Sequence, residues 1–185
     1  MGDGLTFVGS VPVTLTVLSE QPSLEQSLQM DAKNLSLLRM MSVTDQTSRD
    51  MDAELEGMLV EVNKLDQKLT LVQELLTQLL MQYEVIPPRN KIELGLSSLS
   101  ITLSADVSVS VGAIVLAELY LFEDIPRALR LAGTTSSVRA INSYEFEVGI
   151  ALSGFSDGVD SLLGRFIFSQ HRRAVAMSRA QNSED

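Results

Sequence analysis

The sequence predicts an α+β protein in which a small antiparallel β-barrel or sandwich carries a long coiled-coil helix and ends in a further helix. Three observations predict it. Between Met51 and Ile86, apolar residues recur at spacings of four and three without a miss. After Arg89 the apolar period falls to two, in short segments separated by turn residues. Beyond Asp157 a helical period returns.

The first element is a strand within residues 5–18, where Val11, Val13, Leu15 and Val17 alternate with Pro12, Thr14, Thr16 and Leu18. Pro12 cannot donate to a ladder, which predicts an edge position or a bulge. Helix is expected from Pro22-Ser23-Leu24-Glu25, a proline in the first turn followed by a carboxylate that complements the helix dipole. Over 24–50 the pattern is less regular, with Leu24, Leu28, Leu35 and Leu38 on one stripe and Met30, Leu37 and Met41 on another. The polar interval Thr44, Gln46, Thr47 and Ser48 favours a break between two helices. Pro87-Pro88 then stops the second of them.

The strict register comprises Met51, Leu55, Met58, Val62, Leu65, Leu69, Val72, Leu76, Leu79, Tyr83 and Ile86. Alternating steps of four and three are the heptad signature of a coiled coil. At about 1.5 Å per residue the helix would be roughly 54 Å long. A rod of that length outruns any small domain it could pack against, so most of its seam must meet other helices. Leaving the seam bare would forgo on the order of 15–30 kcal/mol, at roughly 1.5–3 kcal/mol per side chain. The sequence therefore predicts a homo-oligomer. Leu55, Val62, Leu69, Leu76 and Tyr83 take the a positions, and Met51, Met58, Leu65, Val72, Leu79 and Ile86 the d positions. Leu59, Leu75 and Leu80 widen the face beyond a two-stranded seam, which points to a tetramer. The alternative is a helix folding back along 24–50 of its own chain.

Twofold alternation follows in Ile92, Leu94 and Leu96, then in opposite phase in Leu99, Ile101 and Leu103, implying a turn or bulge at Ser97-Ser98. Four further strands are expected at Val107–Val111, Ile114–Leu121, Leu129–Ala140 and Tyr144–Leu152. Their close spacing favours antiparallel pairing. The last helix is expected to start at Asp157 as N-cap and to bury Val159, Leu162, Leu163, Phe166 and Ile167. The domain division is thus a strand in 1–20 that joins the barrel, a helical oligomerisation region over 21–86, and the barrel with its final helix over 87–185.

Composition narrows the function. The chain has 185 residues, 45% of them hydrophobic, and a formal charge of −10. Residues 1–86 hold 13 acidic against 5 basic side chains and residues 87–185 hold 11 against 9, so the acidity belongs mainly to the helical part. Such a balance argues against sequence-independent binding of nucleic acid, because phosphates need neutralising. Without cysteine, thiolate metal sites, disulfides and cysteine nucleophiles are excluded, which fits a cytoplasmic protein. No apolar run is long enough for a membrane span. Met1-Gly2 with Thr6 matches only a loose myristoylation pattern, and Asp3 places a charge beside the acceptor.

Catalytic constellations are missing. His171 is the single histidine, flanked by Arg172 and Arg173, which would disfavour the imidazolium a serine triad forms. Glu145 and Glu147 alternate with Tyr144, Phe146 and Val148 as a solvated strand face would. Arg165, His171, Arg172, Arg173 and Arg179 read as a solvated helix face before an anion or partner site. Leu119–Phe122 with Ile125 read as core before an exposed patch. No metal site, cofactor or enzymatic activity is expected.

The blocks Leu94-Gly95-Leu96-Ser97-Ser98-Leu99-Ser100-Ile101, Leu119-Tyr120-Leu121, Leu129-Arg130-Leu131-Ala132-Gly133, Phe146-Glu147-Val148-Gly149-Ile150 and Leu162-Leu163-Gly164-Arg165-Phe166-Ile167 together resemble a PilZ domain over about Lys91 to Arg173. With the heptad helix added, the chain is similar to the atypical, tetrameric PilZ proteins of plant-pathogenic bacteria. The resemblance implies a six-stranded barrel, a four-helix assembly, and signalling around motility, type IV pili or virulence with unidentified protein partners. Typical members bind cyclic di-GMP through Arg-x-x-x-Arg and Asp/Asn-x-Ser-x-x-Gly motifs. No two arginines here stand four apart, and the second motif reads Gly95, Ser97 and Ser100, so only its serine survives. Arginines supply paired, charge-assisted donors to phosphate that serine and lysine do not replace. Arg89 and Lys91 lie near the domain entrance, but their spacing does not reproduce the motif. The expectation is a non-enzymatic adaptor that does not bind cyclic di-GMP at the usual site; the alternative is a nucleotide sensor working through other residues.

Overall fold

A computed structural model describes residues 5–46, 69, 72, 87–104, 108–122 and 127–181. Among the described residues, six strands and two helices have defined bounds, in the order β1 (Phe7–Leu18), α1 (Leu24–Gln46), β2 (Arg89–Leu94), β3 (Ser98–Ser104), β4 (Ile114–Leu119), β5 (Leu129–Ala140), β6 (Glu145–Leu152) and α2 (Asp157–Gln181). The strands close a barrel in the order β1-β2-β3-β6-β5-β4, with antiparallel pairing throughout. The first strand therefore belongs to the same barrel as strands that follow it by some seventy residues, and the chain between β1 and β2 is an excursion from it.

Alternation places the core. Val11 and Val13 of β1, Ile92 and Leu94 of β2, and Leu99, Ile101 and Leu103 of β3 point inward. Val115, Ala117 and Leu119 of β4, Leu129 and Leu131 of β5, and Val148, Ile150 and Leu152 of β6 complete the interior. The change of phase at Ser97-Ser98 is the β2–β3 turn, closed by the Gly95 N–H donating to the Ser98 carbonyl at 2.8 Å. Gly133 allows β5 and β6 to approach closely, since a Cβ there would stand 2.5 Å from the Ala151 oxygen.

Pro12 is at neither an edge nor a bulge. It marks the point where β1 changes partners: Phe7–Pro12 pair with β2 and Val13–Leu18 with β4. Its missing N–H falls at that exchange, while its carbonyl accepts from the Tyr120 N–H at 3.1 Å.

Several boundaries differ from the sequence reading. Residues 108–111 are not a strand, and Val107 lies outside the described residues. Here the chain reverses to enter β4: the Ala113 N–H donates to the Ser110 carbonyl at 3.2 Å, and Gly112 takes a φ of 85°. β4 ends at Leu119 and β6 begins at Glu145. At α1, Pro22 stands just before the cap rather than in the first turn. Ser23 Oγ accepts from the Gln26 N–H at 3.2 Å and Gln26 Oε1 accepts from the Ser23 N–H at 2.9 Å, a reciprocal capping box.

The α2 cap is Ser156, one residue before Asp157. Its hydroxyl accepts from the Val159 N–H at 3.3 Å. Ser156→Ala is expected to lower stability by about 1 kcal/mol, read as a lower urea midpoint with an unchanged slope.

α2 buries Val159, Leu163 and Ile167 completely, with Leu162 and Phe166 half-buried against the core. The Phe166 ring lies 5.5 Å from that of Phe7 and 5.9 Å from that of Phe122. α1 packs through Asn34, Leu37 and Leu38. Of the two stripes read in the sequence, the first is covered only in its second half: Leu24 and Leu28 are exposed, Leu35 packs on the core and Leu38 is buried, while of the second Leu37 is buried and Met41 packs on the core. The break expected after Thr44 is not seen up to Gln46, and residues 47–50 lie outside the described residues.

Candidate interaction site

Two regions carry the functional expectations: the β2–β3 hairpin with its residual ligand motif, and the heptad seam. Gly95, Ser97 and Ser100 do come together on the hairpin, where Gly95 and Ser97 are tied in through their backbones and Ser100 through its hydroxyl. The Ser97 carbonyl accepts from the Leu152 N–H at 2.9 Å, tying the turn to β6. The Ser100 hydroxyl donates to Glu147 Oε1 at 2.9 Å. Glu147 also forms an ion pair with Arg139 through its other oxygen. Glu93 is paired directly across from Ser100. Ser100, which stands at the motif's glycine position, thus sits between two carboxylates, where a phosphate would meet repulsion in place of cationic donors. The serine that survives from the motif is Ser97, exposed at the turn.

The remaining features of that face agree. Arg89 is turned to the barrel itself, its Nη1 donating to the Ser10 carbonyl at 3.2 Å. Leu96 at the hairpin tip lies against α2, 3.5 Å from where a methyl on Gly164 would be. Glu147 was legible only as a solvated strand residue. Its half-buried role emerges because β3, β6 and β5 bring Ser100, Glu147 and Arg139 onto one outer face.

Of the seam residues, Leu69 and Val72 are described, both helical and both exposed in the single chain, at 66% and 52%. Met51, Leu55, Met58, Val62, Leu65, Leu76, Leu79, Tyr83 and Ile86 lie outside the described residues. On α2, Arg165, His171, Arg172 and Arg173 are exposed. Leu119 is fully buried and Leu121 packs on the core. Ile125 lies outside the described residues.

A residue the sequence reading missed joins α1 to the barrel. Asn34 is buried at 2% exposure, donates through Nδ2 to the Arg130 carbonyl at 2.6 Å and accepts at Oδ1 from the Arg130 N–H at 2.9 Å. The available signal was its spacing, three and four residues before Leu37 and Leu38. Beside this junction, a cleft of about 400 Å³ opens between the β1–α1 connection and β4–β5, with Lys33 and Arg130 on its walls. Arg130 is shared with Glu118, 2.8 Å away. Among the described residues no cluster of acidic or histidine side chains could hold a metal ion, and no helix is long and apolar enough to cross a membrane.

A closed six-stranded antiparallel barrel with a helical excursion after its first strand and a closing helix defines the architectural class. Residues 37–180 match the family profile described as atypical PilZ domain, cyclic di-GMP receptor, and the chain belongs to the atypical PilZ family. It is similar in structure to a pathogenic protein from Xanthomonas campestris, described as a new tetrameric PilZ domain self-assembled via an unusual helical bundle. The TM-score is 0.77 and the identity 18%, over 95% of this chain and 93% of that one. No curated protein matches the sequence.

Proposed function

We propose that this protein is a non-enzymatic, cytoplasmic signalling adaptor that presents its barrel in four copies and acts through protein contacts. Multivalent display raises the effective concentration of weak barrel–partner contacts, so each contact need not be strong alone. Support for the assembly comes from the heptad seam, from the exposure of Leu69 and Val72 in the single chain, and from the tetrameric Xanthomonas neighbour. By resemblance, the partners belong to motility, type IV pilus or virulence signalling.

The observation that carries the adaptor reading is the Ser100–Glu147 hydrogen bond in a chain without an Arg-x-x-x-Arg pair. Each charge-assisted bond to phosphate is worth roughly 1.5–3 kcal/mol, and this face supplies carboxylates instead. Titration calorimetry with cyclic di-GMP is expected to show no saturable binding in the micromolar range. Saturable micromolar binding would refute the adaptor reading.

A second reading, a nucleotide sensor working through other residues, is favoured by the family's description as cyclic di-GMP receptors and by the cleft beside Lys33 and Arg130. Saturable binding abolished by Lys33→Gln would select it.

A further inference from the structure

The cleft beside Lys33 and Arg130 has two ends of opposite charge. On its helix wall, Gln26 and Lys33 stand two turns apart, about 10.5 Å along α1. On its sheet wall, Leu18 lies across from Ile114 and Arg130 across from Glu118, four residues apart in β4, or about 13 Å. Glu20 follows Leu18 and precedes the Ser23 cap, so it belongs to the end opposite Lys33 and Arg130.

The cationic end is held in place and left open. The Asn34 amide bonds the Arg130 backbone as donor and as acceptor, and the Arg130 Nε donates to Glu118 at 2.8 Å. Its two Nη groups make no hydrogen bond among the described residues. The Lys33 ammonium forms neither a hydrogen bond nor an ion pair among the described residues, although Glu20 lines the same cleft. A guanidinium and an ammonium lining one space are donors suited to an oxyanion.

Between the ends the walls are mixed. Leu18, Met30 and Leu116 are half-buried and apolar. Gln26 Oε1 is taken up by the Ser23 N–H, so the capping box fixes this side chain and leaves its amide nitrogen without a hydrogen bond among the described residues. A primary amide there matches a peptide group, and the apolar wall matches aliphatic side chains. None of the described lining residues is an aromatic that could stack on a base, and the Glu20 carboxylate would repel a second phosphate.

We infer that this cleft binds a short linear peptide with free ends, about three aliphatic residues long. Its carboxylate lies between Lys33 and Arg130, its ammonium at Glu20, and its side chains against Leu18, Met30 and Leu116. Three extended residues span about 10 Å, the separation of the two ends. The inference does not rest on the adaptor reading, since it uses no residue of the heptad seam or the β2–β3 hairpin. It goes beyond the sensor reading by assigning the cleft a different class of ligand.

Equilibrium dialysis of the full-length protein against the mixture of all tripeptides built from alanine, valine and leucine, read by mass spectrometry, tests it. Free-ended peptides should be retained saturably, and the same mixture acetylated at the amino end or amidated at the carboxyl end roughly tenfold less. Lys33→Gln should remove most of the discrimination against the amide and leave that against the acetyl cap. Glu20→Gln should do the reverse. Both positions are exposed, so both variants should fold as the wild type does, which thermal unfolding checks. Retention of no free-ended peptide overturns the inference, as does retention that neither cap nor either substitution changes. Cyclic di-GMP is dialysed in parallel: nucleotide retained by the wild type and lost in Lys33→Gln, with no peptide retained, would overturn the inference and uphold the sensor reading.

Discussion

Leu65→Asp/Leu69→Asp is expected to convert the assembly to monomers while leaving the barrel folded. The two residues occupy successive d and a layers of the heptad pattern, so in a four-copy bundle the double substitution places eight carboxylates in adjacent core layers. Each substitution forfeits roughly 1.5–3 kcal/mol of apolar burial per copy. Each carboxylate that stays charged there costs several kcal/mol more in desolvation, without a partner to offset it. No bundle of this length absorbs both losses. The single chain loses nothing comparable, since Leu69 is 66% exposed in it and the barrel core is drawn from other residues. Light scattering should report about four times 20.2 kDa for the wild type and 20.2 kDa for the variant, with the β-sheet signature of circular dichroism retained. A wild-type protein that already scatters as a monomer at micromolar concentration removes the basis for multivalent display. So does a variant that keeps the assembled mass.

The strands were legible because their signal is local. A barrel strand with one face inward alternates, and Ile92/Leu94, Leu99/Ile101/Leu103 and Val148/Ile150/Leu152 all do so in phase with their burial. The buried face of α2 was legible for the same reason at the helical period. What escaped were features fixed by distant partners. Pro12 reads as an edge residue because its own sequence shows only the missing donor; that β1 exchanges β2 for β4 there depends on residues from Arg89 to Leu119. The buried face of α1 draws on both stripes and has a polar residue, Asn34, at its centre, which the apolar pattern does not show, while Leu24 and Leu28 continue a stripe that the barrel does not cover. Val107–Val111 alternates as a strand does, yet Gly112 turns the chain before a ladder can form. At the ligand motif, the missing arginines were visible in the sequence. Glu147 beside Ser100 was not, because they meet only through the β3–β6 register.

Asn34→Ala is expected to lower stability by about 2–4 kcal/mol. β6 pairs with β5 only from Gly133 onward, so Leu129–Leu131 have no β6 partner in register. Asn34 supplies one from α1, its amide acting as donor and acceptor toward the backbone of Arg130 in the way a neighbouring strand would. Alanine removes both halves at once and leaves an N–H and a carbonyl where water has little access, at roughly 1–3 kcal/mol for each unsatisfied group. Asn34→Asp separates the two contributions. It keeps an acceptor for the Arg130 N–H but loses the donor, and it sets a carboxylate against the Arg130 carbonyl oxygen in a site that is 2% exposed. It should therefore destabilise more than alanine near neutral pH and less in acid, where the protonated carboxyl can donate to that carbonyl. Urea unfolding of both variants, with exchange of the Leu37 and Leu38 amides as a local probe, checks the order. If alanine costs less than about 0.5 kcal/mol, α1 is held by its apolar contacts alone, and the peptide-like bridge is incidental to the barrel.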